Sequence, residues 1–151
     1  MEQTDPVMAE IAQVVDRGQT GAAAEARERF ALLWERLGPR GDPLHRCALA
    51  HYAADVQEEL AEELRWDLRA LEAADELTDE RARQHHGSLT AAGFYPSLHL
   101  NLADVHRRLG DPARAREHLD RAEEAVDALG DDGYGRMIRQ GIARCAARLA
   151  R

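Results

Sequence analysis

The chain has 151 residues, a formal net charge of −8, 44% hydrophobic residues and only 5% aromatic residues. This length fits one domain, and the abundance of Ala, Leu, Arg and Glu favours helices over sheets. The negative charge argues against nucleic acid or an anionic membrane surface as a partner.

Prolines and glycines predict where helices begin and end. Asp5-Pro6, Asp42-Pro43 and Asp111-Pro112 each place an N-cap acceptor before a residue suited to the first helical turn, and Pro96 with Ser97 is expected to act similarly. Helix ends are predicted at Gly18, Gly21, Gly38, Gly110 and Gly130. The predicted helices span 6–17, 21–37, 43–57, 59–77, 96–109, 112–129 and 134–150.

The segment 78–95 is predicted to contain a short helix followed by a loop. Thr78 is expected to cap a short helix that ends near Gly87, and a loop is predicted from Gly87 to Gly93. No low-complexity linker divides the chain, so a single domain over residues 1–151 is expected.

The predicted helix 59–77 carries two apolar stripes, which favours an arrangement that covers both of its sides. Leu60, Leu64, Leu68 and Leu71 form the leucine stripe, and Trp66, Ala70, Ala73 and Leu77 form the tryptophan stripe. Stacked helix pairs would cover both stripes. The last helix has one stripe, through Ile138, Ile142, Cys145 and Leu149, which is typical of a capping helix.

The pair of helices at 96–129 resembles the tetratricopeptide repeat (TPR). Leu102-Ala103 lies midway along its first helix, the turn is Leu109-Gly110-Asp111, and Leu119 lies between the small residues Ala115 and Ala122 of its second helix. His99 and His106 stand where that family usually has large aromatic residues, and Gly130 replaces its helix-ending Pro.

The pairs at 43–77 and 6–37 resemble the same repeat more loosely. Leu49-Ala50 and Ala70-Leu71 match its landmarks with one extra residue between them, and the first pair has Gly18 or Gly21 at its turn, then Ala26 and Phe30. The resemblance implies an all-α, right-handed helical-repeat solenoid of about three pairs (6–37, 43–77, 96–129) with a capping helix at 134–150.

The resemblance also implies a concave groove, lined by the first helix of each pair, that binds a partner protein or peptide. By position, its lining residues would be Ser97, Leu100, Asn101, Asp104, Arg107 and Arg108, with Cys47, His51, Ala54 and Asp55. Some family members bind a terminal carboxylate with Lys and Asn, but here only Asn101 matches and no Lys exists.

The sequence offers little for catalysis or metal binding, so we expect no enzyme, no cofactor and no metal. All 20 basic residues are Arg, which excludes Schiff-base and phosphate-loop lysines. His99, His106 and the pair His85-His86 lack zinc-ligand spacing, and we expect His99 and His106 to be packing residues. His118 with Glu117 is interpreted as an exposed charged pair, and Ser88 and Ser97 lack a nucleophile motif.

Two functions from different classes therefore stay open. The first is a protein-interaction module whose acidic body suits a partner with a basic surface, or a peptide. The alternative is a sensor domain acting in regulation, which would bind a small molecule or short peptide in a closed apolar pocket near Trp66, Phe94 and Tyr95. Self-association through the first helix, with Ile11, Val14 and Val15, also stays open.

The cysteines and the two ends of the chain predict a cellular compartment and a basic C-terminal surface. Cys47 and Cys145 are predicted to be buried apolar residues in a reducing compartment. The acidic N-terminus without an apolar run argues against a signal peptide, and a cytoplasmic location is expected. Residues 134–151 contain five Arg and no acid, which indicates a solvated helix face or, alternatively, a basic docking arm.

Overall fold

The computed structural model describes residues 5–85 and 90–150, and these are all-helical, as the composition predicts. Of the described residues, 81% are helical, and no strand occurs among them. By its internal contacts it divides into two compact units, Met1–Ala73 and Ala74–Arg151. No helix within the described residues is long and apolar enough to cross a membrane.

The N-terminal unit is built from the first four helices. They are α1 (Pro6–Gln19), α2 (Ala23–Leu37), α3 (Pro43–Ala54) and α4 (Leu60–Ala74), whose last residue belongs to the second unit. Helices α1, α2 and α3 pack against one another, and α4 meets α2 where Trp66 contacts Trp34. Ile11, Phe30, Leu44 and Leu49 are fully buried in this core.

The C-terminal unit begins with α5 (Asp79–His85), followed after the undescribed residues by a 3-10 turn at Ala91–Phe94. Its main helices are α6 (Tyr95–Arg108), α7 (Pro112–Ala125) and α8 (Gly133–Leu149), with a second 3-10 turn at Val126–Ala128. Helix α6 packs along α7, and α8 packs against both. The core between them consists of Ala103, Leu119, Ala122, Ile138, Ile142 and Cys145.

The three Asp-Pro pairs cap helices as predicted. Asp5 accepts hydrogen bonds from the amides of Val7 and Met8, Asp42 from Leu44 and Asp111 from Arg114. Pro96 lies in the first turn of α6 as expected, but the side-chain cap predicted there is absent. Helix α6 begins at Tyr95, directly after the 3-10 turn, and the Ser97 hydroxyl donates back to the Phe94 carbonyl at 3.2 Å.

Glycines end three helices as predicted, but Gly18 does not end α1. Gly21, Gly38 and Gly110 follow α1, α2 and α6 with φ of 97°, 68° and 82°, a conformation that glycine adopts without strain. Gly18 lies inside α1, where a Cβ atom would be 3.0 Å from a Val56 methyl group. Gly18 therefore allows α1 and the segment that contains Val56 to lie close together.

The segment 78–95 is partly as predicted. The Thr78 hydroxyl accepts a hydrogen bond from the Arg81 amide at 3.1 Å and caps α5. Residues 91–93, expected in a loop, belong to a 3-10 turn over Ala91–Phe94, whose start is capped by the Thr90 hydroxyl accepting from the Gly93 amide. The first part of the predicted loop, Gly87 to Leu89, lies outside the described residues.

The two apolar stripes of α4 differ in burial. The tryptophan stripe is covered: Trp66 is 5% exposed and Ala70 is fully buried. The expectation that the leucine stripe is equally covered is wrong, since Leu68 is 46% exposed and Leu60, Leu64 and Leu71 are half-buried. In α8 the single predicted stripe is confirmed, with Ile138, Ile142 and Cys145 buried.

Candidate functional site

The predicted groove residues on α6 form a charged patch, which we call the α6 patch: Asn101, Asp104, Arg107 and Arg108. The Asp104 carboxylate accepts hydrogen bonds from Arg107 Nη2 and Arg108 Nε, both at 2.9 Å. Asn101, Asp104 and Arg107 are half-buried and Arg108 is exposed. One carboxylate thus orients two guanidinium groups along the helix.

Helix α8 borders the α6 patch. Leu100, also predicted to line a groove, packs instead against the core that α8 shares, with its methyl group 2.8 Å from where a Gly141 Cβ would lie. Burial raises the pKa of Cys145 on α8; the nearby Asp104 raises it further, and Arg107 opposes this. Within the described residues, Arg107 Nε is buried without a hydrogen-bond partner.

The other predicted groove residues lie elsewhere. Ser97 donates its hydroxyl to the Phe94 carbonyl at the start of α6. Cys47 and Ala54 are only 2% exposed, so the prediction that they line a surface is wrong, and burial raises the pKa of Cys47 to about 12. His51 and Asp55 belong to the N-terminal unit and interact, but burial dominates: it lowers the pKa of His51 and raises that of Asp55.

Three imidazole rings pack between α6 and α7 and form what we call the histidine stack: His99, His106 and His118. The His118 ring lies 5.3 Å from that of His99 and 5.4 Å from that of His106, centroid to centroid, with interplanar angles of 25° and 3°. His99 Nδ1 and His118 Nδ1 are 3.1 Å apart and hydrogen-bonded. The prediction that His99 and His106 are packing residues is confirmed by their exposures of 7% and 5%.

The environment of the histidine stack disfavours protonation of His99 and His118. Burial, the other two histidines and then Arg121 and Arg114 lower the pKa of His118 to about 4. Burial and Arg121 also lower the pKa of His99, against a smaller opposite effect of Asp75. Neutral His99 and His118 rings can stack without the repulsion that two neighbouring cations would impose.

The interpretation of His118 as an exposed partner of Glu117 is wrong. His118 is half-buried, while Glu117 is exposed. The missed signal was spacing: His118 lies three residues after Ala115 and four before Ala122, both fully buried. Such positions share one side of a helix.

No group of three or more His, Cys, Asp or Glu in the described part of the chain is placed to hold a metal ion. His86 and Ser88 lie outside the described residues, as does the side chain of His85. Stacked rings direct their nitrogen lone pairs roughly parallel, whereas metal ligands must converge on one point. The histidine stack therefore has the geometry of packing.

A cleft of about 560 Å³ lies beside the histidine stack, and we call it the tyrosine cleft. Tyr95 stacks on His99 with 6.0 Å between centroids and donates its hydroxyl to Asp75 at 2.6 Å. This volume lies within the range of small-ligand sites. Its lining residues are Ala92, Tyr95, His99, Arg121, Glu124, Ala125 and Ala128.

The N-terminal unit has a second cleft, of about 280 Å³, between α2 and α4, which we call the indole cleft. Trp34 and Trp66 meet there edge to face, with centroids 5.5 Å apart. The Arg69 guanidinium lies 4.6 Å from the Trp66 ring centroid and 5.3 Å from that of Trp34. The cleft is lined by Arg27, Ala31, Trp34, Glu35, Gln57, Glu62, Trp66 and Arg69.

Two further Arg side chains, Arg46 and Arg65, lie near Arg69 at the indole cleft. The Arg46 guanidinium lies 4.2 Å from the Trp34 ring and donates to the Gly38 carbonyl. Burial lowers the pKa of Arg69, and Arg65 and Arg46 lower it further, while Glu62 opposes them. The Arg69 cation is thus held close to two like charges.

The residues named for the expected pocket, Trp66, Phe94 and Tyr95, belong to two different units. Trp66 lines the indole cleft of the N-terminal unit and Tyr95 lines the tyrosine cleft of the C-terminal unit, and Phe94 lines neither. Sequence reasoning missed the indole cleft because Trp34 and Trp66 were assigned to different repeats. The signal available was Trp66 and Arg69 three residues apart on one helix face.

Comparisons with protein-family models, curated proteins and solved structures found no match to this chain.

Proposed function

We propose that this chain is a non-enzymatic helical-repeat module, similar to tetratricopeptide repeats and cytoplasmic, that binds a partner protein or peptide through the α6 patch. Such modules use the polar face of a rigid helix as a binding surface, with specificity set by side chains along it. Neither a cofactor nor a metal is part of this proposal.

The packing of α8 against both α6 and α7 is the observation that carries the proposal. In a repeat stack, each new helix packs on the two helices of the preceding pair. Ala103, Ala115 and Ala122 are fully buried, which lets the backbones approach closely. Gly110, with φ of 82°, makes the tight turn between α6 and α7.

The charges of the α6 patch indicate the chemistry of the partner. Asp104 holds Arg107 and Arg108 by ion pairs of 2.9 Å, so their side chains are ordered before a partner binds. Ordering in advance lowers the entropic cost of association. The net charge of −8 favours approach of a peptide that carries basic residues, with an acidic residue to meet Arg108.

Selection from a displayed library of random peptides tests this proposal. A selected peptide should bind the Asn101→Ala/Arg108→Glu double variant at least about tenfold more weakly, because a hydrogen-bonding amide is lost and a charge is reversed. The melting temperature should stay nearly unchanged, since both residues reach the surface. Affinities are measured by fluorescence polarisation.

A matched double variant on α7 provides the control. Asp120→Ala/Arg116→Glu makes the same kind of change at two exposed positions outside the α6 patch. It should bind the peptide within about twofold of the parent affinity. Equal binding by parent and α6 variant would remove the α6 patch from the proposal.

The tyrosine cleft favours a second candidate function, a sensor for a small molecule. Its volume of about 560 Å³ and its mixture of ring, Arg and Glu side chains are typical of ligand sites. A ligand bound there would contact Tyr95 and Ala125 rather than Asp104. The same binding experiments therefore separate the two candidates by the residues that respond.

A further inference from the structure

We infer that the indole cleft is a binding site for a small carboxylate with an apolar body, and that the Arg69 guanidinium holds the carboxylate. This site belongs to the N-terminal unit and is independent of peptide binding at the α6 patch. Arg27 lines the same cleft but is already engaged, with Nη1 donating to the Val56 carbonyl at 2.8 Å and Nη2 near Glu58 at 3.4 Å.

Cation–π contacts position the Arg69 guanidinium but provide no acceptor for its N–H groups. Its guanidinium lies over two indole rings, which fixes its position, and cation–π contacts stabilise it only partly. A guanidinium has five N–H donors, yet Arg69 makes no hydrogen bond or ion pair with any described residue. An incoming carboxylate could accept two of these donors at once.

The electrostatics also favour an anion at this point. Arg46 and Arg65 both lie close enough to Arg69 to act on its charge. The Glu62 carboxylate acts in the opposite direction on Arg69, but it also forms an ion pair with Arg65, at 3.7 Å. A bound anion would relieve repulsion among these three guanidinium groups.

The lining of the cleft selects a monocarboxylate over a phosphate. Glu35 and Glu62 both line it, and these two carboxylates repel a doubly charged phosphate more strongly than a singly charged carboxylate. Trp34, Trp66 and Ala31 supply an apolar wall for a hydrocarbon or aromatic body. The volume of about 280 Å³ limits the ligand to about the size of one amino-acid residue.

Such a carboxylate has two sources, a free organic acid or the last residue of a peptide. Phenylacetate represents the first source and N-acetylphenylalanine the second. Their neutral amides keep the apolar body and remove the charge. Inorganic phosphate tests the alternative anion.

Tryptophan fluorescence is a direct readout, because the two tryptophans of the chain are Trp34 and Trp66. Titrating the full chain with phenylacetate or N-acetylphenylalanine should change the emission with a dissociation constant in the millimolar range, as suits so small a ligand. The amides and phosphate should bind at least about tenfold more weakly. Whichever acid binds more tightly identifies the source.

Substitutions at Arg69 connect the signal to this side chain. Arg69→Gln should weaken binding of the acid at least about tenfold, and Arg69→Lys, which keeps the charge without the planar fork, should weaken it by a smaller factor. Arg40→Gln removes the same charge at an exposed position that does not line the cleft, and should change binding less than about twofold. Circular dichroism verifies that each variant is folded.

Three results would overturn the inference. One is the absence of saturable binding of either acid to the parent chain. Another is equal binding of an acid and its amide, or tighter binding of phosphate. The third is unchanged binding of the acid by folded Arg69→Gln and Arg69→Lys.

Discussion

Gly135 lies in the first turn of α8, where the chain turns back closely on the preceding segment. A Cβ atom there would lie 2.1 Å from the carbonyl oxygen of Gly130, which also accepts a hydrogen bond from Arg139 at 3.1 Å. The Gly135 amide donates to the Asp132 cap at 2.8 Å. Because the obstacle is backbone, it has no flexible side chain to move aside.

Replacing this glycine should therefore destabilise the C-terminal unit. We expect Gly135→Ala to lower the free energy of unfolding by about 2–3 kcal/mol, through forced movement of the Leu129–Gly130 backbone. Urea denaturation measures the change. Gly133→Ala is the control: apart from its chain neighbours and the adjacent backbone of α8, no described atom lies within 4 Å of its Cβ position, and the change should stay below about 0.5 kcal/mol. Equal effects of the two variants would contradict this account.

At the residue scale, sequence predicts best where the chemistry is local. Asp5, Asp42 and Asp111 cap their helices because a carboxylate reaches amides two or three residues away, whatever the rest of the chain does. Gly18 and His118 were misjudged because their surroundings come from distant residues, Val56 in one case and two rings on α6 in the other.

Helices α6 and α7 are joined by the histidine stack, which makes their packing sensitive to pH. Because the pKa of His118 falls from 6.5 to about 4 on folding, the unfolded chain binds more protons between these values. The free energy of unfolding is therefore unaffected by protonation of His118 above pH 6.5, and it decreases as the pH falls from 6.5 towards 4. Since the ring is half-buried and partly screened by solvent, the loss amounts to about 1–2 kcal/mol.

The pH dependence can be isolated by substitution. Parent and His118→Gln are compared by urea denaturation at several pH values between 4 and 7. The amide keeps a polar side chain of similar length but does not titrate, so the variant should lose less stability than the parent as the pH falls. Identical slopes for the two proteins would show that His118 is not kept neutral by the fold.

Helix α4 shows what a periodic pattern predicts at the element scale and what it leaves open. The spacing of apolar residues correctly gave two stripes and a buried Trp66. It did not predict how far the leucine stripe is buried, because the exposure of Leu68 depends on which other segments pack against it. The 3-10 turn at Ala91–Phe94 was missed for a related reason, since it is too short to show a period.

For the whole molecule, composition predicted the all-helical class, because Ala-rich and Arg-rich segments with few β-branched residues have no means of building a sheet. The right-handed solenoid, the TPR relationship and the single domain stay predictions. The solvated face expected for the basic tail is confirmed, since Arg136, Arg139, Arg144 and Arg148 are exposed, and Arg139 also donates to nearby backbone carbonyls. The full lining of neither cleft was predictable, because each combines side chains from separate helices.

The most direct measurement is an NMR titration of the labelled full chain with a peptide selected from a library. If the chain binds its partner through the α6 patch, amide shifts should change most at Asn101, Asp104, Arg107 and Arg108. Changes concentrated on the exposed face of α7, at Arg116 and Asp120, or around Tyr95 and Ala125 in the tyrosine cleft, would contradict the proposed function.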